Sequence, residues 1–266
     1  MSLHDSTALS DKEDTIEEKR ETADDEHVVK MWEPFGFHVR EGYNYLKKGV
    51  IFTFFHYATL MVAFFILNIW NRLAYGMKIK GRKNIHKVRK NGAVVVCNHT
   101  HIMDCAAIEC ALFPRRSYFT TLESNFRIPV IRHIIKLFGG VPIPTSMHCM
   151  REFFDSMEKA LDDRDFVCFY PEGALHPYEK DIRTFKNGAF RTAVAANKAV
   201  VPAVIVFRKP RGLMRLYRRK PCMTLSFLEP VYADESQDTR DEAMRLKDVC
   251  YEKMKVFAEE SYRKMA

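Results

Sequence analysis

Residues 49–71 contain no Asp, Glu, Lys or Arg. Drawn as a helix, residues 51–67 place apolar side chains on every face, and they are long enough to cross a hydrocarbon core about 30 Å thick. A buried core helix is the competing reading, and the basic anchors flanking both ends favour the membrane. Thr53, His56 and Thr59 soften it, so a tilted or re-entrant helix in one leaflet competes with a full span. Immediately beyond come Arg72, Lys78, Lys80, Arg82, Lys83, Lys87, Arg89 and Lys90, with no acid among them. Such an excess places the following domain on the cytoplasmic face, against anionic lipid.

Charge divides the chain further. The formal net charge is +8, yet residues 1–29 hold ten acids against three bases, which leaves +15 on the rest. A body that basic favours an anionic partner. Residues 1–27 have too little aromatic and β-branched content to order themselves, and read as a disordered acidic tail. Residues 28–74 read as a membrane-anchoring helical segment. Its rings Trp32, Phe35, Phe37, Tyr43 and Tyr45 interleave with Lys30, Arg40 and Lys47 as at a membrane interface. Residues 75–266 form the remaining domain. Seven cysteines without a C-x-x-C pair argue for reduced thiols rather than a disulfide framework.

From residue 93 short apolar runs alternate with amphipathic ones. Strands are predicted over 93–97, 118–122, 141–143, 166–170, 201–207 and 223–228, and helices over 104–112, 128–138, 148–161 and 187–197. A long charged helix over 235–265 turns Leu246, Val249, Met254 and Phe257 toward the body. This alternation implies an α/β fold, a mixed and largely parallel sheet flanked by helices, preceded by the membrane helix.

Where the first of these strands ends, Val96-Cys97 gives way to Asn98-His99, and Asp104 follows five residues after the histidine at a helix start. Such a corner lets a carboxylate hold one imidazole nitrogen while the other faces substrate, the arrangement of a general base. A helix-capping Asp in a polar loop explains the same spacing equally well. Downstream, Tyr170-Pro171-Glu172-Gly173 ends another strand in a turn carrying a carboxylate. Phe185-Lys186-Asn187-Gly188 then opens a helix with a cation and a glycine, a favourable anion site. Each alone is a weak signal, since most such turns are only turns.

In this order, Asn98-His99-x-x-x-x-Asp104, Tyr170-Pro171-Glu172-Gly173, Phe185-Lys186-x-Gly188 and Val201-Pro202-Ala203-Val204 together resemble the PlsC-like glycerolipid acyltransferases, the lysophosphatidate acyltransferase family. The resemblance covers about residues 75–230, and it implies a glycerol-3-phosphate acyltransferase-like fold. It further implies transfer of a fatty acyl group from acyl-CoA or acyl-carrier protein to a hydroxyl of lysophosphatidate or a related lysoglycerolipid, in phospholipid biosynthesis. His99 would be the general base and Asp104 its orienting carboxylate. Glu172, Gly173, Lys186 and Gly188 would bind substrate. No metal or cofactor is implied beyond the acyl donor as co-substrate, and the partners are membrane lipids and that donor, not nucleic acid.

The chain departs from the family pattern in three places. Ala174 stands where the family has Thr or Ser after Glu-Gly. Residues 139–145 lack the Arg that grips the acceptor phosphate, and Thr120-Thr121-Leu122-Glu123 lacks a common Lys. Arg127, Arg132 and Arg183 are the available substitutes. These departures motivate two alternatives, a catalytically silent lipid-binding relative and an acyltransferase for a different lysolipid. Cys97, His99, His101 and Cys105 fit no usual zinc spacing. The basic run over 208–220, with Leu213, Met214, Leu216 and Tyr217 interleaved, reads as a lipid-facing patch rather than a nucleic-acid site.

Overall fold

The computed structural model describes residues 36–265, apart from Lys48 and Glu235. The predicted acidic tail, with Trp32 and Phe35, lies outside the described residues. The first helix, α1 (Val50–Ala74), holds the charge-free stretch. It is followed by β1 (Lys78–Lys80), α2 (Arg82–Val88), β2 (Ala93–Cys97), α3 (Asp104–Leu112), β3 (Ser117–Leu122), a 3-10 turn over Glu123–Arg127, α4 (Pro129–Leu137), β4 (Gly140–Ile143), α5 (Met147–Asp162) and β5 (Phe166–Phe169). Then come α6 (Gly188–Ala195), β6 (Val200–Arg208), the single turn α7 (Met214–Tyr217), β7 (Cys222–Phe227) and α8 (Thr239–Arg263).

The strands form one sheet in the order β1-β7-β6-β2-β5-β3-β4. Every pairing is parallel except that of β6 with β7. β2 lies at the centre, and all five of its residues are buried. Val94 and Val96 face a core that includes Phe153, Phe190 and Leu246, from α5, α6 and α8. Ala93, Val95 and Cys97 face a second core with Ile85 and Ile108, from α2 and α3. A strand covered on both sides has no place for alternation, which is why it reads as one apolar run.

The predicted α/β pattern and its order hold throughout, with β2 and α3 falling on their predicted bounds. The structure adds β1 and α2, inside a stretch read only as basic, and α7, inside the lipid-facing run. Of the rings expected at a membrane interface, Phe37, Tyr43 and Tyr45 pack on the domain. Phe37 stacks on Phe126 with centroids 5.5 Å apart, and Tyr45 meets Phe153 edge-on at 5.7 Å. α8 is capped by Asp238, whose carboxylate accepts the Arg240 amide at 2.8 Å, and it buries Leu246 and Met254.

α1 rests along the domain through one narrow stripe. His56 Nδ1 lies 2.6 Å from the Leu137 carbonyl, Phe64 stacks on Phe113 at 4.6 Å, and Leu60 and Asn71 are buried. Its opposite face leaves Phe54, Phe55, Val62, Phe65, Ile66 and Ile69 exposed. It is the one helix among the described residues long and apolar enough to cross a membrane. The chain leaves it through Gly76, at φ +55°, where an added Cβ would stand 2.6 Å from Cys222 Sγ. Only glycine fits that turn.

Candidate active site

Asn98 follows the last residue of β2, and its side chain keeps the chain on the sheet for one more step. Its Nδ2 donates to the Ile205 carbonyl at 3.1 Å, and its Oδ1 accepts the Ile205 amide at 2.8 Å. With Asn98 pinned to β6, the backbone turns, and His99 projects from the carboxyl edge of the sheet. In open α/β sheets this edge is where ligand crevices form.

Asp104 opens α3 and is completely buried. One of its oxygens, Oδ2, accepts the amides of Thr100 and His101, each at 2.8 Å, and lies 3.2 Å from His99 Nδ1. The same atom therefore shapes the turn and orients the imidazole. A carboxylate offers only acceptors, so the network assigns the proton to Nδ1 and leaves the Nε2 lone pair free. The His99 side chain is 23% exposed, so that lone pair belongs to a group within reach of solvent and ligand. Tyr170 covers one face of the ring, with centroids 4.0 Å apart and planes 19° off parallel.

The turn after β5 supplies the third group. Gly173 donates its amide to the Tyr170 carbonyl at 3.0 Å and adopts φ +81°, a left-handed conformation that favours glycine. Glu172 is buried here, and its carboxylate is fully engaged. Oε2 accepts the His99 amide at 3.2 Å and Arg183 Nη2 at 3.1 Å, while Oε1 accepts the Arg183 amide at 3.2 Å. Burial pushes the Glu172 carboxyl above its usual range, against the pull of Arg183 and these amides. Arg183 also donates to the Ala174 carbonyl. Glu172 thus ties the His99 loop to the 183 loop.

The structure brings His99, Asp104 and Glu172 into one hydrogen-bonded cluster, with Gly173 in the adjoining turn. Lys186 and Gly188 stand one step away. The Lys186 amide donates to Pro171 at 2.8 Å, its side chain is exposed, and Gly188 begins α6. Of the three arginines offered as substitutes, Arg183 is bonded to this cluster. The motif alone gives Tyr170 no role, since its stacking depends on β2 and β5 being neighbours. His101 is a loop residue. Its Nδ1 accepts the Met103 amide at 3.1 Å, its ring lies between Tyr75 and Tyr178, and burial lowers its pKa. Among the described residues no three His, Cys, Asp or Glu side chains are placed to hold a metal ion.

Fold and cluster together define an α/β domain with a histidine–aspartate pair at a strand end. The Acyltransferase family model matches residues 76–206, a span containing every residue of that cluster, and over that span the chain is similar to the PlsC-like acyltransferases. It is 29% identical over 154 residues to the chloroplastic 1-acyl-sn-glycerol-3-phosphate acyltransferase LPAT1 of Arabidopsis thaliana, covering 53% of this chain and 40% of that protein. It is 30% identical over 133 residues to human 1-acyl-sn-glycerol-3-phosphate acyltransferase beta, covering 49% of this chain and 47% of that one. The chain thus spans less than half the length of these relatives. The crystal structure of PlsC from Thermotoga maritima shares the fold, with a TM-score of 0.51 at 18% identity over 79% of this chain and 96% of that one.

Proposed function

We propose that this protein transfers a fatty acyl group from an acyl-CoA thioester to a free hydroxyl of a lysoglycerolipid, at a membrane surface. The observation that carries the reading is the His99–Asp104 pair, with Nε2 free at the carboxyl edge of the sheet. Nε2 takes the proton of the acceptor hydroxyl as its oxygen attacks the thioester carbonyl. The tetrahedral adduct collapses, the carbon–sulfur bond breaks, and the CoA thiolate leaves with the proton returned from His99. Asp104 keeps the Nδ1–H tautomer and stabilises the imidazolium formed between the two steps. Glu172 positions His99 through its amide.

The relatives' names specify 1-acyl-sn-glycerol-3-phosphate as acceptor, and we take a lysoglycerolipid of that kind as the substrate here. The loop after β4 offers its phosphate no arginine. Its Thr145 instead gives both its hydroxyl, at 2.6 Å, and its amide, at 3.3 Å, to buried Glu123. Membrane attachment is supported by the exposed apolar face of α1, and the basic residues after that helix favour the cytoplasmic side. Incubation with labelled acyl-CoA and a panel of lysolipids tests the reading. Transfer should occur to at least one of them and fall about 10²–10⁴-fold in His99→Ala. No transfer to any acceptor would leave a lipid-binding protein, and full activity in His99→Ala would remove the mechanism.

A further inference from the structure

Beyond the histidine corner, an open groove of about 1270 Å³ runs along the same edge of the sheet, between the loop after Glu172, the end of β6 and α8. The segment that forms its Tyr178 wall is hydrogen-bonded to the catalytic loop. The His176 amide donates to the His99 carbonyl at 3.1 Å, and the Tyr178 amide donates to Thr100 at 2.9 Å. The Tyr178 ring then stands between His101 and Phe207, 5.7 and 5.2 Å away. β6 runs parallel to β2 with Ala203 opposite Cys97, so Phe207 lies four residues, about 13 Å, past the strand end that carries His99.

The walls of the groove have a distinctive chemistry. Tyr178, Phe207, Tyr251 and Tyr262 give it aromatic surfaces, while Lys180, Lys209, Arg219, Lys220 and Lys255 give it positive charge, against only Asp181 and Glu259. None of these five cations forms an ion pair among the described residues. Three of them rest over tyrosine rings instead, each 5.8 Å from a centroid: Lys180 on Tyr262, Lys220 on Tyr178 and Lys255 on Tyr251. Arg208, by contrast, is committed to Thr224 and the Gly76 carbonyl and shapes the wall. Unpaired ammonium groups beside aromatic faces suit a ligand that combines several phosphates with a planar base.

We propose that this groove receives the phosphorylated adenosine of acyl-CoA, so that the pantetheine arm runs past Tyr178 and brings the thioester to His99. The inference rests on the acyl-transfer reading and names the site that receives its donor. A carrier protein would present a broad acidic surface and no base to such a recess, and a lipid headgroup would leave the tyrosines unused.

The test uses the full chain in detergent micelles. Binding of CoA and of adenosine 3′,5′-bisphosphate is measured by calorimetry without turnover, and kinetics are measured with acyl-CoA and with acyl-pantetheine, which lacks the nucleotide. Lys180→Glu and Lys220→Glu should each weaken both ligands about tenfold and raise KM for acyl-CoA by a similar factor, a change that charge reversal at a phosphate contact readily produces. The kcat, the KM for lysolipid and the KM for acyl-pantetheine should not move, and Lys220→Arg should retain binding. Unchanged CoA affinity in both reversals would overturn the proposal. So would an equal loss with acyl-pantetheine, or a response confined to acyl-carrier protein or to anionic vesicles. A wild-type protein that binds CoA through these lysines yet transfers nothing would overturn the function and leave the groove standing.

Discussion

A single carboxylate oxygen, Asp104 Oδ2, gathers the Thr100 and His101 amides and the His99 ring nitrogen. Sequence spacing allowed two readings of that aspartate, a turn-forming cap and an orienting group, and the geometry makes them the same interaction. Tyr170 is the complementary restraint, because it blocks one face of the ring that Asp104 holds at its edge. Stacked aromatic pairs contribute about 0.5–1.5 kcal/mol beyond their buried area. If the stack fixes His99 for proton transfer, Tyr170→Phe should keep near-wild-type kcat, and Tyr170→Ala should lower kcat up to about tenfold with KM little changed. Steady-state kinetics on the two variants decide it, and a Phe variant as slow as the Ala one would assign the effect to the hydroxyl. His99 and Asp104 were legible because they sit five apart in one chain segment. Tyr170 and Arg183 were not, because their roles exist only once β5 lies beside β2 and the 183 loop folds back over Glu172.

Elements were legible in proportion to how many residues they use to declare themselves. β2 and α3 combine a full apolar run with a sharp polar boundary. β1 is a three-residue edge strand reading Lys-Ile-Lys, too short to show a period, and α7 is a single turn. α7 nevertheless has a definite place, since the Tyr217 hydroxyl donates to the Leu73 carbonyl at 3.1 Å and seats it at the end of α1. Leu213 and Leu216, 80% and 83% exposed, therefore extend the apolar face that Trp70 and Leu73 begin, with Arg211, Arg215 and Arg219 around them. Apolar tips inside a basic fringe suit the headgroup boundary of an anionic bilayer. Burying a leucine fully is worth about 1.5–3 kcal/mol, and partial insertion of two gives a similar total. Leu213→Ser combined with Leu216→Ser should weaken binding to anionic vesicles by at least about tenfold, with activity on a dispersed short-chain lysolipid retained. Co-sedimentation that does not change would show that α1 alone holds the protein on the membrane.

At the scale of the whole molecule, a largely parallel sheet covered on both faces forces some acids inside, and their protonation then belongs to the stability of the fold. Glu109 on α3 is buried beside β3, where it accepts the Ser117 hydroxyl, and burial raises its carboxyl from 4.5 to about 8. Glu172 is shifted in the same direction, held back by Arg183. An acid raised in this way keeps its proton in the folded state after the unfolded chain has released it. Its stabilising contribution is complete below about pH 4.5 and declines as pH rises, by about 1.4 kcal/mol per unit, until the folded group ionises near pH 8. Glutamine at this position stays neutral throughout and can keep the contact with Ser117. Thermal unfolding in one detergent, compared between about pH 5 and about pH 8, should therefore show wild type losing several kcal/mol more than Glu109→Gln over that interval. Equal losses in the two proteins would mean that Glu109 ionises in the fold as readily as in the unfolded chain, and that water reaches a carboxylate placed between α3 and β3.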